Sequence, residues 1–135
     1  MINPIEHSRT KEASTKYKVE PYVIPADIYG AGNLAGQGGW TWYTGSSSWY
    51  YKAGIEYILG LKINEGYLEM NPCIPRDWKN YEIQYKWKET IYNIEVKNPN
   101  RKNTGVTKVL LNGDETKNHI KLDGTRKIYK VEILL

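Results

Sequence analysis

Three observations predict an α+β chain, helical at the front and all-β at the back. Tyr51, Ile55, Ile58 and Leu59 fall at i, i+4, i+7 and i+8, one face of a helix. Farther on, segments such as Tyr81–Trp87 alternate apolar and polar residues, as a half-buried strand does. The character changes near residue 62, and runs of helix followed by runs of strand describe an α+β protein or two separate units.

The elements follow in order. Residues 1–15 are polar and read as an extended lead-in. Val19, Tyr22, Val23, Ala26 and Tyr29 approximate a helical face, while Pro21 and Pro25 oppose a long helix. A short helix is expected to start near Pro21 or Pro25 and to end by Gly30. Five glycines between Gly30 and Gly39 predict a loop. The helix that includes Tyr51 is expected to start at Thr44 or one of the serines and to end at Gly60. Leu68, Met70 and Pro72–Pro75 suggest a short strand ended by a turn. Strands are then expected at Tyr81–Trp87, Thr90–Val96 and Val106–Leu111, the last closed by Asn112-Gly113-Asp114. Residues His119–Leu122 and Ile128–Leu135 supply two more.

Composition narrows the function. At 135 residues, 40% hydrophobic and 25% charged, the chain has the size and make-up of one soluble globular domain. Its aromatic residues comprise twelve tyrosines, five tryptophans and no phenylalanine. Buried tyrosines need partners for their hydroxyls, so part of this set is expected at a cleft or an interface. The net charge is +4, spread without a block of like charges, which argues against a nucleic-acid partner. Cys73 is the lone cysteine, so an internal disulfide and a Cys/His metal site are both excluded. Reducing, cytoplasmic conditions are the expectation. No apolar run has the length of a membrane span, and the N-terminus lacks signal-peptide form.

The stretch from Gly38 to Tyr51 concentrates the chemistry. It holds three tryptophans, three tyrosines, three glycines and three serines in fourteen residues. Aromatics beside glycines and hydroxyls suit an apolar sugar face and a small polar group. The Thr44-Gly45-Ser46 entry to a helix offers backbone N–H groups and the positive dipole end to an anion.

Several of these motifs together resemble a known family. Gly39-Trp40-Thr41-Trp42-Tyr43-Thr44-Gly45-Ser46, Ile55–Leu61 and Asn71-Pro72-Cys73-Ile74-Pro75-Arg76-Asp77-Trp78 are similar to the C-terminal part of glycoside hydrolase family 94. Asn3-Pro4-Ile5 and Val19-Glu20-Pro21-Tyr22-Val23 fit the same pattern. The Gly-Gly-Trp-Thr-Trp-Tyr-Thr-Gly version resembles the cyclic β-1,2-glucan synthetase and β-1,2-oligoglucan phosphorylase branch of this family, formerly glycosyltransferase family 36. The resemblance implies that residues 1–62 end an (α/α)6 barrel and that 63–135 form an antiparallel β-sandwich. It implies reversible phosphorolysis, in which inorganic phosphate attacks an anomeric carbon with inversion while an aspartic acid protonates the leaving sugar. Phosphate binding is carried onto Thr44 and Gly45; no organic cofactor or metal is implied, phosphate being the co-substrate. Gln37, Trp40, Trp42 and Tyr43 are the candidate sugar contacts for a β-glucan oligosaccharide. The family's catalytic acid and phosphate-binding arginine lie upstream of the matching segment, so no catalytic residue is assigned here and the chain alone is expected to be inactive.

Plainer readings stand beside these. Thr44-Gly45 can be an ordinary helix cap, and the tryptophans can pack a barrel interior. Glu20 reads as a capping or surface acid that could also orient a cleft residue. Glu20 and Asp27 do not make a convincing pair of glycosidase carboxylates, which must sit about 6.5–9.5 Å apart for inversion. His7 reads as solvent-exposed and Cys73 as a small buried side chain. The leading expectation is a phosphorylase fragment that contributes the phosphate loop. The alternatives are a non-catalytic carbohydrate-binding sandwich, a subunit that completes a split enzyme, or a chain whose exposed apolar front associates with a copy of itself.

Overall fold

Two short polar side chains open the first two helices. Asn3 caps α1 (Pro4–His7), accepting the Ile5 N–H at 3.1 Å, and Pro4 occupies the first helical turn, where its missing N–H costs nothing. Thr10 caps α2 (Lys11–Tyr17) through Oγ1, which accepts the Ala13 N–H at 3.1 Å. The expected extended lead-in is therefore helical in this computed structural model, which describes residues 3–42 and 45–135. Pro4 and Tyr17 are the buried residues of these helices, so they carry no apolar stripe for periodicity to detect. The cap signals were legible where the pattern was not.

The chain divides into two units, Met1–Lys52 and Ala53–Leu135. In the first, the expected helix around Pro21–Gly30 does not form. Residues 26–29 instead run antiparallel to residues 36–40. Ala26 N–H donates to Trp40 O at 2.7 Å, Gly39 N–H to Asp27 O at 2.9 Å, Tyr29 N–H to Gln37 O at 3.0 Å and Gly36 N–H to Tyr29 O at 2.7 Å. A bridge pairs Ile28 with Gly38. Pro25 cannot donate to a helix, and this ladder satisfies the N–H groups of Ala26 and Tyr29 after it. The glycine-rich loop is thus partly a ladder strand, turned through a 3-10 helix at Gly32–Leu34.

The third helix, α3 (Ser46–Lys52), runs into a π-helical turn at Ala53–Ile58, where Leu59 N–H reaches back to Gly54 O at 2.8 Å. This agrees with the expected helix and its stop at Gly60. In the second unit three acceptors at the end of the turn find partners. Cys73 N–H donates to Ile58 O at 2.9 Å, the Tyr81 hydroxyl to Leu59 O at 2.6 Å and Asn71 N–H to Gly60 O at 2.8 Å. Burial pushes the Tyr81 hydroxyl pKa well above its ordinary value, which keeps it a donor. Cys73 is exposed, against the expectation of burial. It alternates with buried Pro72 and Ile74, so the extended backbone turns its side chain outward.

Among the described residues, eight strands form two sheets. β1 (Leu61–Asn64), β2 (Tyr67–Met70) and β7 (Ile120–Lys121) make an antiparallel sheet in the order β1-β2-β7. The five-stranded sheet has the order β3-β4-β8-β5-β6, from β3 (Asn80–Trp87), β4 (Thr90–Lys97), β5 (Lys108–Leu111), β6 (Asp114–Thr116) and β8 (Ile128–Leu134). Its pairs are antiparallel except β4 with β8, which run parallel. Two hairpins turn on pairs of positive φ, Glu65-Gly66 and Asn112-Gly113, the twist-compatible geometry for two-residue loops. Leu61, Leu68 and Met70 of one sheet share a core with Tyr92, Ile94, Val96, Val109, Val131 and Ile133 of the other. The two inner faces therefore pack together as a sandwich. Buried Asn98 is satisfied by Trp78 O, Lys102 O and the Lys102 N–H, and pins the loop after β4. No helix among the described residues is long and apolar enough to cross a membrane.

Gly60 takes φ +79, and a Cβ there would strike the backbone of Asn71 and Pro72. Gly60→Ala is expected to lower stability by about 2 kcal/mol or more, seen as a fall in Tm of roughly 10 °C in thermal unfolding followed by circular dichroism. Asp123 provides a pH dependence. Hydrogen bonds from the Thr125 side chain, the Tyr129 hydroxyl and the Thr125 N–H, with Lys127 beside it, hold its pKa well below the usual carboxylate range. A depressed folded-state pKa contributes stability above the unfolded value near 3.9 and loses it as pH falls through the folded one. Tm is therefore expected to drop as pH is lowered below about 4, and Asp123→Asn is expected to blunt that drop while lowering Tm at pH 7.

Candidate functional site

The ladder of the front unit places the aromatic stretch. Gly38 passes so close to the end of α2 and the residues after it that a Cβ would meet Val19 Cγ2 at 2.8 Å and Tyr17 Cε2 at 3.2 Å. Its N–H donates to Tyr17 O at 2.8 Å. Tyr17 is fully buried and stacks on the His7 ring at 4.7 Å and 11°. His7 is consequently half-buried against Tyr17 rather than solvent-exposed as expected. At Gly39 a Cβ would collide with the Asp27 carboxyl group. Both glycines are needed for close approach, and together they anchor the strand on which Trp40 and Trp42 follow.

Trp40 is 75% exposed and Trp42 67% exposed. Trp40 is fixed through its backbone, whose carbonyl accepts from Ala26. Trp42 is fixed through its side chain: the indole Nε1–H donates to Glu20 Oε1 at 3.1 Å. Tyr22 meets the same indole edge-on, with ring centroids 6.4 Å apart and planes at 67°. The Glu20 pKa is lowered, first by the Trp42 hydrogen bond and then by its own backbone N–H. Trp42 has φ +68, a conformation that a bulky residue rarely adopts.

Gln37 is half-buried, with its N–H on Leu34 O at 2.9 Å and its carbonyl receiving Tyr29. Tyr43 and Thr44, expected in the sugar and phosphate sites, lie outside the described residues. Gly45 is exposed, and its carbonyl accepts the Trp49 N–H at 3.2 Å as α3 begins. Among the described residues, a Cβ on Gly45 would meet nothing closer than Trp49 Cδ1 at 4.0 Å, an ordinary contact. Gly45 differs in this from Gly38, Gly39 and Gly60. Glu20 and Asp27, weighed above as a carboxylate pair, serve separate partners: Glu20 holds Trp42, and Asp27 lies over Gly39. Sequence reasoning missed Tyr22 as a partner of Trp42. The two are twenty residues apart, and no local periodicity encodes their contact.

The arrangement presents exposed indole and phenol faces beside a carboxylate, followed by an open glycine at a helix start. Apolar faces with one acidic acceptor can hold a sugar ring, whose axial C–H groups stack and whose hydroxyls donate. Among the described residues, no group of three or more His, Cys, Asp or Glu side chains is placed to hold a metal ion.

Known proteins carry the same sequence features. Residues 1–60 match the family described as "Glycosyl hydrolase 94 superfamily, catalytic domain". The chain is 42% identical over 118 residues to the cyclic beta-(1,2)-glucan synthase NdvB of Rhizobium meliloti (strain 1021), covering 87% of this chain and 4% of the relative. It is 36% identical over 113 residues to an N,N'-diacetylchitobiose phosphorylase of Vibrio proteolyticus, covering 83% and 14%. A solabiose phosphorylase of Paenibacillus borealis is 28% identical over 114 residues, covering 84% and 14%. The chain thus spans a small part of the length of these relatives, while similarity to them extends beyond residue 60 into the strands. Residues 1–60 are thus a fragment of a catalytic domain of the glycosyl hydrolase 94 superfamily.

Proposed function

We propose that this chain supplies the phosphate-binding loop and an aromatic sugar wall to an inverting glycoside phosphorylase or β-glucan synthase site. In this reading residues 1–62 end an (α/α)6 barrel and 63–135 form its supporting sandwich. Thr44 and Gly45 hold inorganic phosphate, while Gln37, Trp40, Trp42 and Tyr43 face a β-glucan oligosaccharide. The general acid and the phosphate-binding arginine come from outside this chain, from the rest of a longer protein or from a second chain.

Gly45 carries the reading. Among the described residues nothing around it demands a glycine, since a Cβ there would meet no atom nearer than Trp49 Cδ1 at 4.0 Å. The absent side chain therefore leaves the backbone open to something outside the chain, which is how glycine serves at sites of close anion approach. Exposed Trp40, Trp42, Trp49 and Tyr51 surround it in sequence and fit a wall that meets further structure or ligand. The loop's chemical task would be to hold phosphate in line with the anomeric carbon.

A second reading, a carbohydrate-binding module without chemistry, is favoured by the exposure of Tyr22, Trp40 and Trp42 alone. Calorimetric titration separates the two. Phosphate is expected to bind weakly to the isolated chain. Gly45→Ala is expected to weaken that binding about tenfold or more with an unchanged Tm. Equal phosphate affinity in the parent and in Gly45→Ala would refute the phosphate loop, and sugar binding indifferent to phosphate would favour the module. The isolated chain is expected to release no sugar phosphate from a β-1,2-glucan oligosaccharide; measurable phosphorolysis would show that no outside acid is required.

A further inference from the structure

Trp42 is an exception within its own hairpin. The described glycines Gly32 and Gly36 take the positive φ values that the turning backbone requires, +68 and +89, with no side chain to strain. Trp42 takes φ +68 with the largest side chain of all. Burial does not repay the strain, because the residue is 67% exposed. A glycine would serve the backbone better, so the ring itself must be what position 42 requires.

Two side chains from a segment more than nineteen residues upstream hold that ring. Glu20 accepts the indole N–H at 3.1 Å, and Tyr22 packs edge-on at 6.4 Å. Glu20 and Tyr22 flank Pro21, whose ring restricts the backbone between them. The result is an indole with its rotation arrested on an exposed surface, beside a tyrosine that is 74% exposed. An arrested aromatic binds a sugar face without first losing rotamer freedom, which is the advantage of preorganisation.

We infer that Glu20 is a positioning residue for a sugar platform made by Trp42 and Tyr22, acting by holding the Trp42 indole N–H. The inference rests on the reading of Trp42 as a sugar contact and adds to it the residues that set the ring's orientation. Charge on Glu20 strengthens the bond, as an ionised acceptor does for any N–H donor. The lowered pKa of Glu20 keeps that charge present at neutral pH.

The test uses the whole chain labelled with 15N, whose five tryptophans give five indole N–H signals. Trp42→Phe identifies the Trp42 signal by its loss. Glu20→Ala is expected to move that signal and leave the other four in place. The same variant is expected to weaken binding of sophorose, the β-1,2-linked glucose disaccharide, by about tenfold. Glu20→Gln, which keeps an acceptor oxygen, is expected to restore most of the affinity. Glu20→Asp, which keeps the charge but shortens the reach, provides the same comparison if Glu20→Ala does not fold, and is expected to move the signal too.

An unmoved Trp42 signal overturns the inference. So does parent-like sophorose affinity in Glu20→Ala when Trp42→Ala loses binding, a result that leaves the sugar-contact reading intact. Unchanged affinity in Trp42→Ala, or no sophorose binding by the parent chain, overturns the sugar-contact reading and this inference with it.

Discussion

The front of the molecule depends on a backbone ladder between residues 26–29 and 36–40. A hairpin of this length is marginal alone, and here it is steadied by the Gly38 N–H bond to Tyr17 O. That bond forms because Gly38 has no Cβ to hold it away from Val19 and Tyr17. Tyr17 in turn is buried against His7 and closes the small core of the unit. The ladder satisfies its own polar groups, so the aromatic residues that follow are free to face outward. Exposed tryptophans are costly as decoration and informative as a surface.

The β unit meets a different constraint, the closure of a helical turn onto a sheet. The π-helical turn brings the Ile58, Leu59 and Gly60 carbonyls to Cys73, Tyr81 and Asn71. Amide side chains extend the pairing where strands end. Asn118 bonds both the N–H and the carbonyl of Met70, in the manner of another residue of the sheet. On the outer face of the larger sheet, Lys97 lies 2.7 Å from Glu132 and 3.3 Å from Glu95, while Lys130 lies 3.2 Å from Glu132. These partly exposed pairs contribute little stability each. They keep a charged, soluble face on a sheet whose inner face is apolar.

The candidate site was legible in part, for identifiable reasons. Gly38, Gly39, Trp40 and Trp42 drew notice because glycine beside tryptophan is an unusual composition for a core. What composition could not convey is that two of these glycines serve packing, while among the described residues no side chain crowds Gly45. Nor could spacing join Glu20 and Tyr22 to Trp42, since that contact exists only after the chain has turned back through the ladder. The expected helix at Pro21–Gly30 failed for the same reason. Its apolar spacing is compatible with a helix, but a pairing partner ten residues away satisfied the backbone first.

The sequence by itself determined most strands of the β unit, though not the short β1 and β6, together with the stop at Gly60 and the family, because these rest on local alternation, local turn chemistry and contiguous motifs. It marked the stretch from Gly38 to Tyr51 as the place of interest. Tertiary structure alone decided that residues 26–40 form a ladder, that Cys73 faces outward and that Trp42 is held by Glu20. Each of those outcomes depends on which distant groups meet, and a single strand of text carries no distance between them.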